Sequence, residues 1–243
     1  MSKFLLTYKP YGKSAVLIEW PSIISVEILM DIKIFKSTIQ KINSKEILDI
    51  NFVYNSLLVV YNPLVISYSN LKTKLTSIYN QPSKSLKTKT IKWEIPICYD
   101  ENLGLDLPLL SQEKGLSINQ IISLHSESTY TVFGIGFLPG FLYLGGLKSE
   151  LHFDRRKTPR PTVFKGAVAI GGSQTGIYPQ NSPGGWHIIG KTPINLFNAT
   201  NKKPCIIEAG DQIVFKPISF QLFNDIENQL KLGEFQLKRI CHD

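Results

Sequence analysis

Three of the chain's four arginines fall within six residues, Arg155-Arg156-Lys157-Thr158-Pro159-Arg160. A guanidinium's rigid fork suits carboxylate or phosphate oxygens, and flanking proline limits the freedom lost on binding. Arg156 and Arg160 are read as the anion-holding pair, and Arg155 and Lys157 as members of a solvated loop whose ion pairs contribute about 0–1 kcal/mol each. Downstream, residues 171–186 present amide, hydroxyl and aromatic groups on a glycine/proline framework. That chemistry suits a small polar molecule: Gln174 to read an amide, Tyr178 and Ser182 to donate to oxygens, Trp186 to form a wall. Upstream, Gly134–Gly146 places Phe137, Phe141 and Tyr143 among glycines that permit close backbone approach, so the three rings suit an apolar cleft. For Phe141 an ordinary core position fits as well.

Several other patterns carry less. Gly185-Trp-His-Ile-Ile-Gly190-Lys191-Thr192 satisfies the phosphate-loop pattern, but a phosphate loop follows a buried strand and opens a helix. Here Pro193 follows at once and Trp186–Ile189 itself reads as a strand, so the match is taken as a coincidence of spacing. The Gly134–Gly146 segment fails the dinucleotide fingerprint, because proline and aromatics interrupt it. No nucleophile elbow exists. A lone histidine is more often structural than catalytic, and spacing alone promotes none of the four. Cys98, Cys205 and Cys241 are far apart and lack histidines at zinc spacing, which points to neither a disulfide framework nor a metal.

The elements that must position these groups form two regions. Over 243 residues, 43% are hydrophobic and 19% charged, which excludes a disordered chain and allows one large domain or two small ones. The net charge of +8 is uneven. Residues 1–90 hold 12 lysines, no arginine and 5 acids, whereas residues 91–243 hold 15 basic and 14 acidic residues. A lysine excess without arginine or interleaved aromatics argues against nucleic-acid readout and suits solubility or an acidic partner. No apolar run reaches the ~20 residues of a membrane span and the N-terminus lacks a signal peptide's core, so a cytoplasmic location is expected.

In the first region, Ser14–Trp20 reads as a strand, and residues 22–43 as a helix capped by Ser22 with Ile23, Val26, Met30, Ile34 and Ile42 on one face. Ile47–Tyr54 and Leu57–Tyr61 form a hairpin, and residues 67–79 form a helix with Leu71, Leu75 and Ile78 on one side. The order β, α, β, β, α suggests a ferredoxin-like α+β sandwich. Residues 80–89 read as a linker, dividing the chain into 1–89 and 90–243. The second region opens with a strand at Ile91–Pro96 and a helix over 117–125 whose Ser117 and Gln120 match a capping box. Between residues 134 and 190 lie 12 of the 17 glycines. Short runs at Ala167–Ile170, Trp186–Ile189, Cys205–Ile207 and Gln212–Phe215, then a helix over 219–230, indicate a β-barrel or sandwich with function on its loops.

These strings together resemble a known family. Ile97-Cys-Tyr-Asp100, Gly104-Leu-Asp-Leu107, Leu124-His-Ser126, Gly136-Phe-Leu-Pro-Gly-Phe-Leu-Tyr-Leu-Gly-Gly-Leu147, Pro159-Arg160, Val168–Gly172, Gln174-Thr-Gly-Ile-Tyr-Pro179, Ser182-Pro-Gly-Gly-Trp186 and Ile189–Pro193 closely resemble the B-type subunit of bacterial 5-oxoprolinase. That family is also called KipI-like, after a histidine-kinase inhibitor, or allophanate hydrolase subunit 1. The resemblance covers nearly the whole chain and implies a ferredoxin-like domain followed by a cyclophilin-like β-barrel. It further implies partnership with the C-type and A-type subunits in an ATP-dependent 5-oxoprolinase complex that opens 5-oxoproline to L-glutamate, the chain being inactive alone. The alternatives it implies are a histidine-kinase inhibitor, or a member of a urea- or allophanate-directed amide hydrolase or carboxyltransferase. Carried over by motif, the catalytic positions are His125, Arg160, Gln174 and Tyr178. The substrate-binding positions are Phe137, Pro139, Gly140, Tyr143, Arg156, Ser182, Gly184, Gly185 and Trp186. Two departures stand out: Lys191 where the family has arginine, and Lys13 where it has an acid.

Overall fold

A computed structural model describes residues 4–42, 45–81 and 90–240. The chain divides into two compact units, Met1–Lys89 and Thr90–Asp243, each with its own core. The architecture is mixed α/β, and no helix of the described residues is long and apolar enough to cross a membrane.

The first unit runs β1 (Thr7–Tyr11), β2 (Ala15–Glu19), α1 (Val26–Lys41), β3 (Ile47–Val53), β4 (Ser56–Tyr61) and α2 (Tyr68–Asn80). Its antiparallel sheet has the order β1-β2-β4-β3, so β2 pairs with β4 across an intervening helix and strand. The leading strand β1 has no counterpart in the sequence reading. Ser25 rather than Ser22 caps α1, accepting from the Ile28 backbone N–H at 3.1 Å. The buried stripe is accordingly Ile28, Ile32, Phe35 and Ile39, a 3.6-residue repeat, while the expected Ile23, Val26 and Ile42 are exposed. Trp20 lies in this core edge-on to Phe35 and Tyr79, its Nε1 donating to Asp31 at 2.7 Å. Of the expected linker, residues 82–89 lie outside the described residues.

The second unit continues with β5 (Lys92–Ile97), α3 (Leu107–Lys114), α4 (Ile118–Ser126), β6 (Thr129–Ile135), β7 (Leu142–Gly145), β8 (Arg160–Val163), β9 (Ala167–Gly171) and β10 (Gln174–Ile177). After these come β11 (Ser182–Gly184), β12 (His187–Lys191), β13 (Gln212–Pro217), α5 (Phe220–Leu232) and β14 (Lys238–Ile240). The Ser117–Gln120 capping box opens α4 as expected. Cys205–Ile207 forms no strand; the Cys205 thiol instead points back to the Ile207 carbonyl.

Eight strands form one sheet in the order β12-β9-β10-β7-β6-β13-β5-β14, and β8 pairs with β11 apart from it. This corrects the expectation of a closed barrel, because no continuous ladder joins β12 to β5. The two come together only at an isolated bridge in which Cys98 and Lys191 exchange both backbone hydrogen bonds at 2.9 Å. The main core holds Trp93, Tyr130, Val168, Ile170, Ile177 and Phe215, with Ile121 of α4 and Ile226 of α5 packed in. Within it, Trp93 Nε1 donates to the buried carboxylate of Asp211 at 2.9 Å.

Candidate functional site

Strand alternation turns half the residues of β9, β10, β7 and β12 away from that core. Ala167 and Ala169 of β9, Tyr143 of β7 and Ile188 of β12 join Phe141, Tyr178 and Trp186 in a second, smaller cluster on the outward face. Its floor is glycine. A Cβ on Gly171 would stand 2.5 Å from the Trp186 ring, and one on Gly176 would stand 2.9 Å from it, so only glycine lets the indole lie on the sheet. Phe141 meets Tyr178 edge-on at 5.0 Å and Trp186 at 5.6 Å, and Tyr143 lies 6.1 Å from Trp186. The Arg155 guanidinium sits over the Trp186 ring at 5.5 Å. Burial raises the Tyr143 and Tyr178 hydroxyls above their ordinary pKa, keeping both as neutral donors, while Arg155 opposes that shift at each.

At the rim, Phe137 has φ 63 and the Leu138 N–H bonds the Gly136 carbonyl at 2.7 Å, a γ-turn with a left-handed central residue. Such a conformation at phenylalanine costs about 1–3 kcal/mol. The turn leaves Phe137 64% exposed, its ring edge-on to Phe141 at 5.7 Å. Pro139 is exposed beside it, and Gly140, with φ 86, packs where a Cβ would meet Phe197 at 2.5 Å. Because the ring is mostly in water, Phe137→Ala is expected to change stability by no more than about 1 kcal/mol in urea unfolding, while weakening whatever the aromatic face binds.

Asp106 organises the second half of the site. Sequence reasoning gives it no role, yet this carboxylate is 3% exposed and receives both Nη atoms of Arg160, at 2.9 and 2.7 Å. It also accepts from Arg156 Nη1 at 3.3 Å and from the Ile188 backbone N–H at 2.6 Å. His187 Nδ1 is 4.0 Å away, and His187 Nε2 bonds the Asp154 carbonyl at 3.0 Å. Burial lowers the His187 imidazole's pKa, a shift that Asp106 partly offsets. Arg160 is therefore not a free anion receptor: its fork holds Asp106 and thereby ties the start of β8 to α3 and β12. Arg156 is only partly engaged. Its Nη1 reaches Asp106, but its Nε is buried without a hydrogen-bond partner.

His125, expected among the catalytic groups, is a core residue. It is 0% exposed, stacks on Phe215 at 4.6 Å, and bonds the Tyr99 hydroxyl at 2.7 Å and Thr175 Oγ1 at 3.0 Å. Thr175 faces inward while Gln174 and Gly176 face outward, so the sheet separates His125 from Trp186. Burial pushes the imidazole down to about 3. The unfolded chain protonates near 6.5, so stability from this group is full above that pH and is lost as pH falls. Between pH 6.5 and 4 the loss approaches 1.4 kcal/mol per unit. Urea unfolding at stepped pH should show that slope, and His125→Gln should flatten it.

Tyr143, Tyr178 and Trp186 are thus brought together, Phe137 joins them through Phe141, Gln174 stands at the edge of β10 paired to Gly171, and Gly184 is packed so that a Cβ would meet the Tyr178 hydroxyl at 2.4 Å. Ser182 pairs with Val163, and Gly185 accepts from the Arg156 N–H at 2.8 Å. Gln174, Tyr178 and Ser182 are buried, so they shape and support the face more than they line an open cleft. Asp106, Arg155 and His187 join the site without having been marked out by sequence reasoning.

The Gly185–Thr192 segment does not fit a phosphate cradle. Its middle is β12, with Ile188 and Ile189 buried and the Lys191 N–H bonded to Cys98; the Lys191 ammonium stands 3.5 Å from Glu227. No helix follows until α5.

Residues 6–207 match the family described as carboxyltransferase domain, subdomain C and D. The chain is 36% identical over 209 residues to the B-type subunit of 5-oxoprolinase from Haemophilus influenzae, covering 85% of this chain and 95% of that one. It is 42% identical over 126 residues to the Bacillus subtilis protein of the same name, 52% of each chain. Among solved structures, the urea amidolyase of Kluyveromyces lactis superposes with a TM-score of 0.83 over 97% of this chain and 16% of that one. At 18% identity that likeness concerns the fold.

Proposed function

The chain belongs to the family of 5-oxoprolinase B-type subunits, and from that premise we propose that it acts with the A-type and C-type subunits in an ATP-dependent cytoplasmic complex opening 5-oxoproline to L-glutamate. In this reading the chain is inactive alone and supplies part of the lactam's binding surface. Its first unit is read as a ferredoxin-like sandwich, a reading that the strand order β1-β2-β4-β3 supports.

The observation that carries the proposal is the aromatic face: an indole seated on glycines, flanked by Tyr143 and Phe141 and capped by the Arg155 guanidinium, with Phe137 at the rim against Phe141. A flat five-membered lactam has two apolar faces, a polar amide edge and one carboxylate. Trp186 and Tyr143 suit the ring, and the guanidinium edges of Arg155 and Arg156 suit the carboxylate. Ring opening adds water at the carbonyl carbon, whose oxygen gains negative charge, and then breaks the amide C–N bond, the nitrogen leaving as an amine with a proton from that water. Neutral tyrosine hydroxyls and guanidinium groups held in place are the kind of donors that lower such a barrier. Tyr178, buried in one cluster with Trp186, helps to position the wall. Asp106 positions Arg156. ATP finds no cradle in Gly185–Thr192.

Combining the purified chain with its A-type and C-type partners, ATP and 5-oxoproline should yield glutamate, and omitting the chain should abolish it. Equal glutamate with the chain left out would defeat the proposal. The carboxyltransferase family match favours one second reading, a urea- or allophanate-directed activity. Replacing 5-oxoproline by urea or allophanate in the same mixture separates the two.

A further inference from the structure

Beside the aromatic face, a cavity of about 630 Å³ opens between α3, the segment 152–157 and the β9–β10 turn at Gly172–Ser173. Four cationic side chains line it, Lys114, Arg155, Arg156 and Lys157, against two acids, Glu113 and Asp154. That local excess stands out in a region whose 15 basic and 14 acidic residues otherwise nearly cancel. His187 also lines it, 5% exposed, with its ring edge-on to Phe153 at 4.6 Å and its Nδ1 without a hydrogen-bond partner. Arg156 Nε is likewise buried and unpartnered. A buried donor left unmade is unfavourable, and Nε together with one Nη forms the edge of a guanidinium that grips two oxygens of one group.

We infer that this cavity is an oxyanion site, taking a carboxylate or phosphate on the partly exposed guanidinium of Arg156 with Arg155 and Lys157 beside it. Arg155 belongs to both surfaces, since its guanidinium also covers Trp186. A ligand whose oxyanion enters the cavity therefore has its body directed toward the aromatic face. The inference deepens the lactam reading but rests on it only for the choice of 5-oxoproline as one probe.

The test is calorimetric titration of the whole chain with inorganic phosphate and, separately, with 5-oxoproline. Both should bind, compete with each other and weaken as salt rises. Arg156→Gln should lower affinity at least about tenfold, the scale of a charge-assisted hydrogen bond. Arg156→Lys keeps the charge without the planar guanidinium fork and should fall nearly as far, while Lys191→Gln, at a distant cation, should bind like the wild type. Circular dichroism of each variant confirms folding. Binding of phosphate alone assigns the site to a phosphoryl group and binding of 5-oxoproline alone to a carboxylate; either supports it. Failure of both to bind, or equal binding by wild type and both Arg156 variants, overturns it. In the reconstituted complex, Arg155→Gln should raise KM for 5-oxoproline severalfold with little change in kcat. A complex that makes no glutamate while the chain still binds oxyanions through Arg156 would end the lactam reading and leave the site standing.

Discussion

Asp106→Ala is expected to destabilise the second unit by about 3 kcal/mol, read as a drop in the urea midpoint with an unchanged slope. The carboxylate is 3% exposed and answers four donors: two from Arg160, one from Arg156 and the Ile188 N–H. Removing it leaves two guanidinium groups facing one another and a buried amide unmade. Breaking a buried pair from one side costs about 3–5 kcal/mol, and the lower end applies because the arginine side chains are 21% and 31% exposed and can turn to water. Arg160→Gln should cost less, since Asp106 keeps Arg156 and Ile188. The two substitutions together should cost less than their sum, because they share one network. A loss below about 1 kcal/mol for Asp106→Ala would show that the cluster is solvated and does not fasten β8 to α3. Activity of the complex should fall further than stability, because Arg156 loses its anchor.

Gly171→Ala should be nearly as damaging, although it adds a single methyl group. That Cβ would stand 2.5, 2.6 and 2.7 Å from three atoms of the Trp186 indole, closer than side chains approach in folded proteins. The indole cannot sink, because Gly176 and Phe141 lie beneath and beside it. It must tilt outward, disturbing the contacts with Tyr143 and Arg155. Overpacking of this kind costs about 1–3 kcal/mol. Displacement of the wall should lower the complex's kcat/KM at least tenfold, about 1.4 kcal/mol of transition-state binding. Trp186→Ala separates the two effects: with no ring to collide with, adding Gly171→Ala to it should change stability little. A second loss of the same size would place the strain elsewhere.

Which of these residues show in the sequence depends on the range of the forces that place them. Local rules work where the cause is local: the Ser117–Gln120 box opens α4, and Leu71 and Leu75 line the buried side of α2. Strands β7, β10 and β11 span only 3 or 4 residues and carry glycines, so no alternation is long enough to read. β1, with Pro10 and little apolar character, is an edge strand held by its pairing with β2. In α1 the apolar residues are dense enough to draw two stripes, and packing against the strands and α2, which spacing does not reveal, decides between them. Asp106 is illegible for a different reason. It stands in the apolar string Leu105-Asp106-Leu107-Pro108-Leu109, and its partners lie 50 to 82 residues away, a pairing no spacing rule connects. Arg155 reads as a solvated residue because a cation over an aromatic face requires knowing which ring lies beneath. His125 reads as a reacting group because a motif preserves a residue's identity without saying which side of a sheet it serves.

The chain has three tryptophans, and each of the three clusters among the described residues holds one. Trp20 donates to Asp31 in the first unit, Trp93 donates to Asp211 in the main core of the second, and Trp186 lies on glycines under a guanidinium. Two indoles thus have a carboxylate at the ring nitrogen and the third has a cation over its face, environments that shift emission in different directions. Variants retaining one indole at a time would turn intrinsic fluorescence into three separate channels. One would report melting of the first unit, one melting of the second, and the third occupancy of the outward face while both units stay folded.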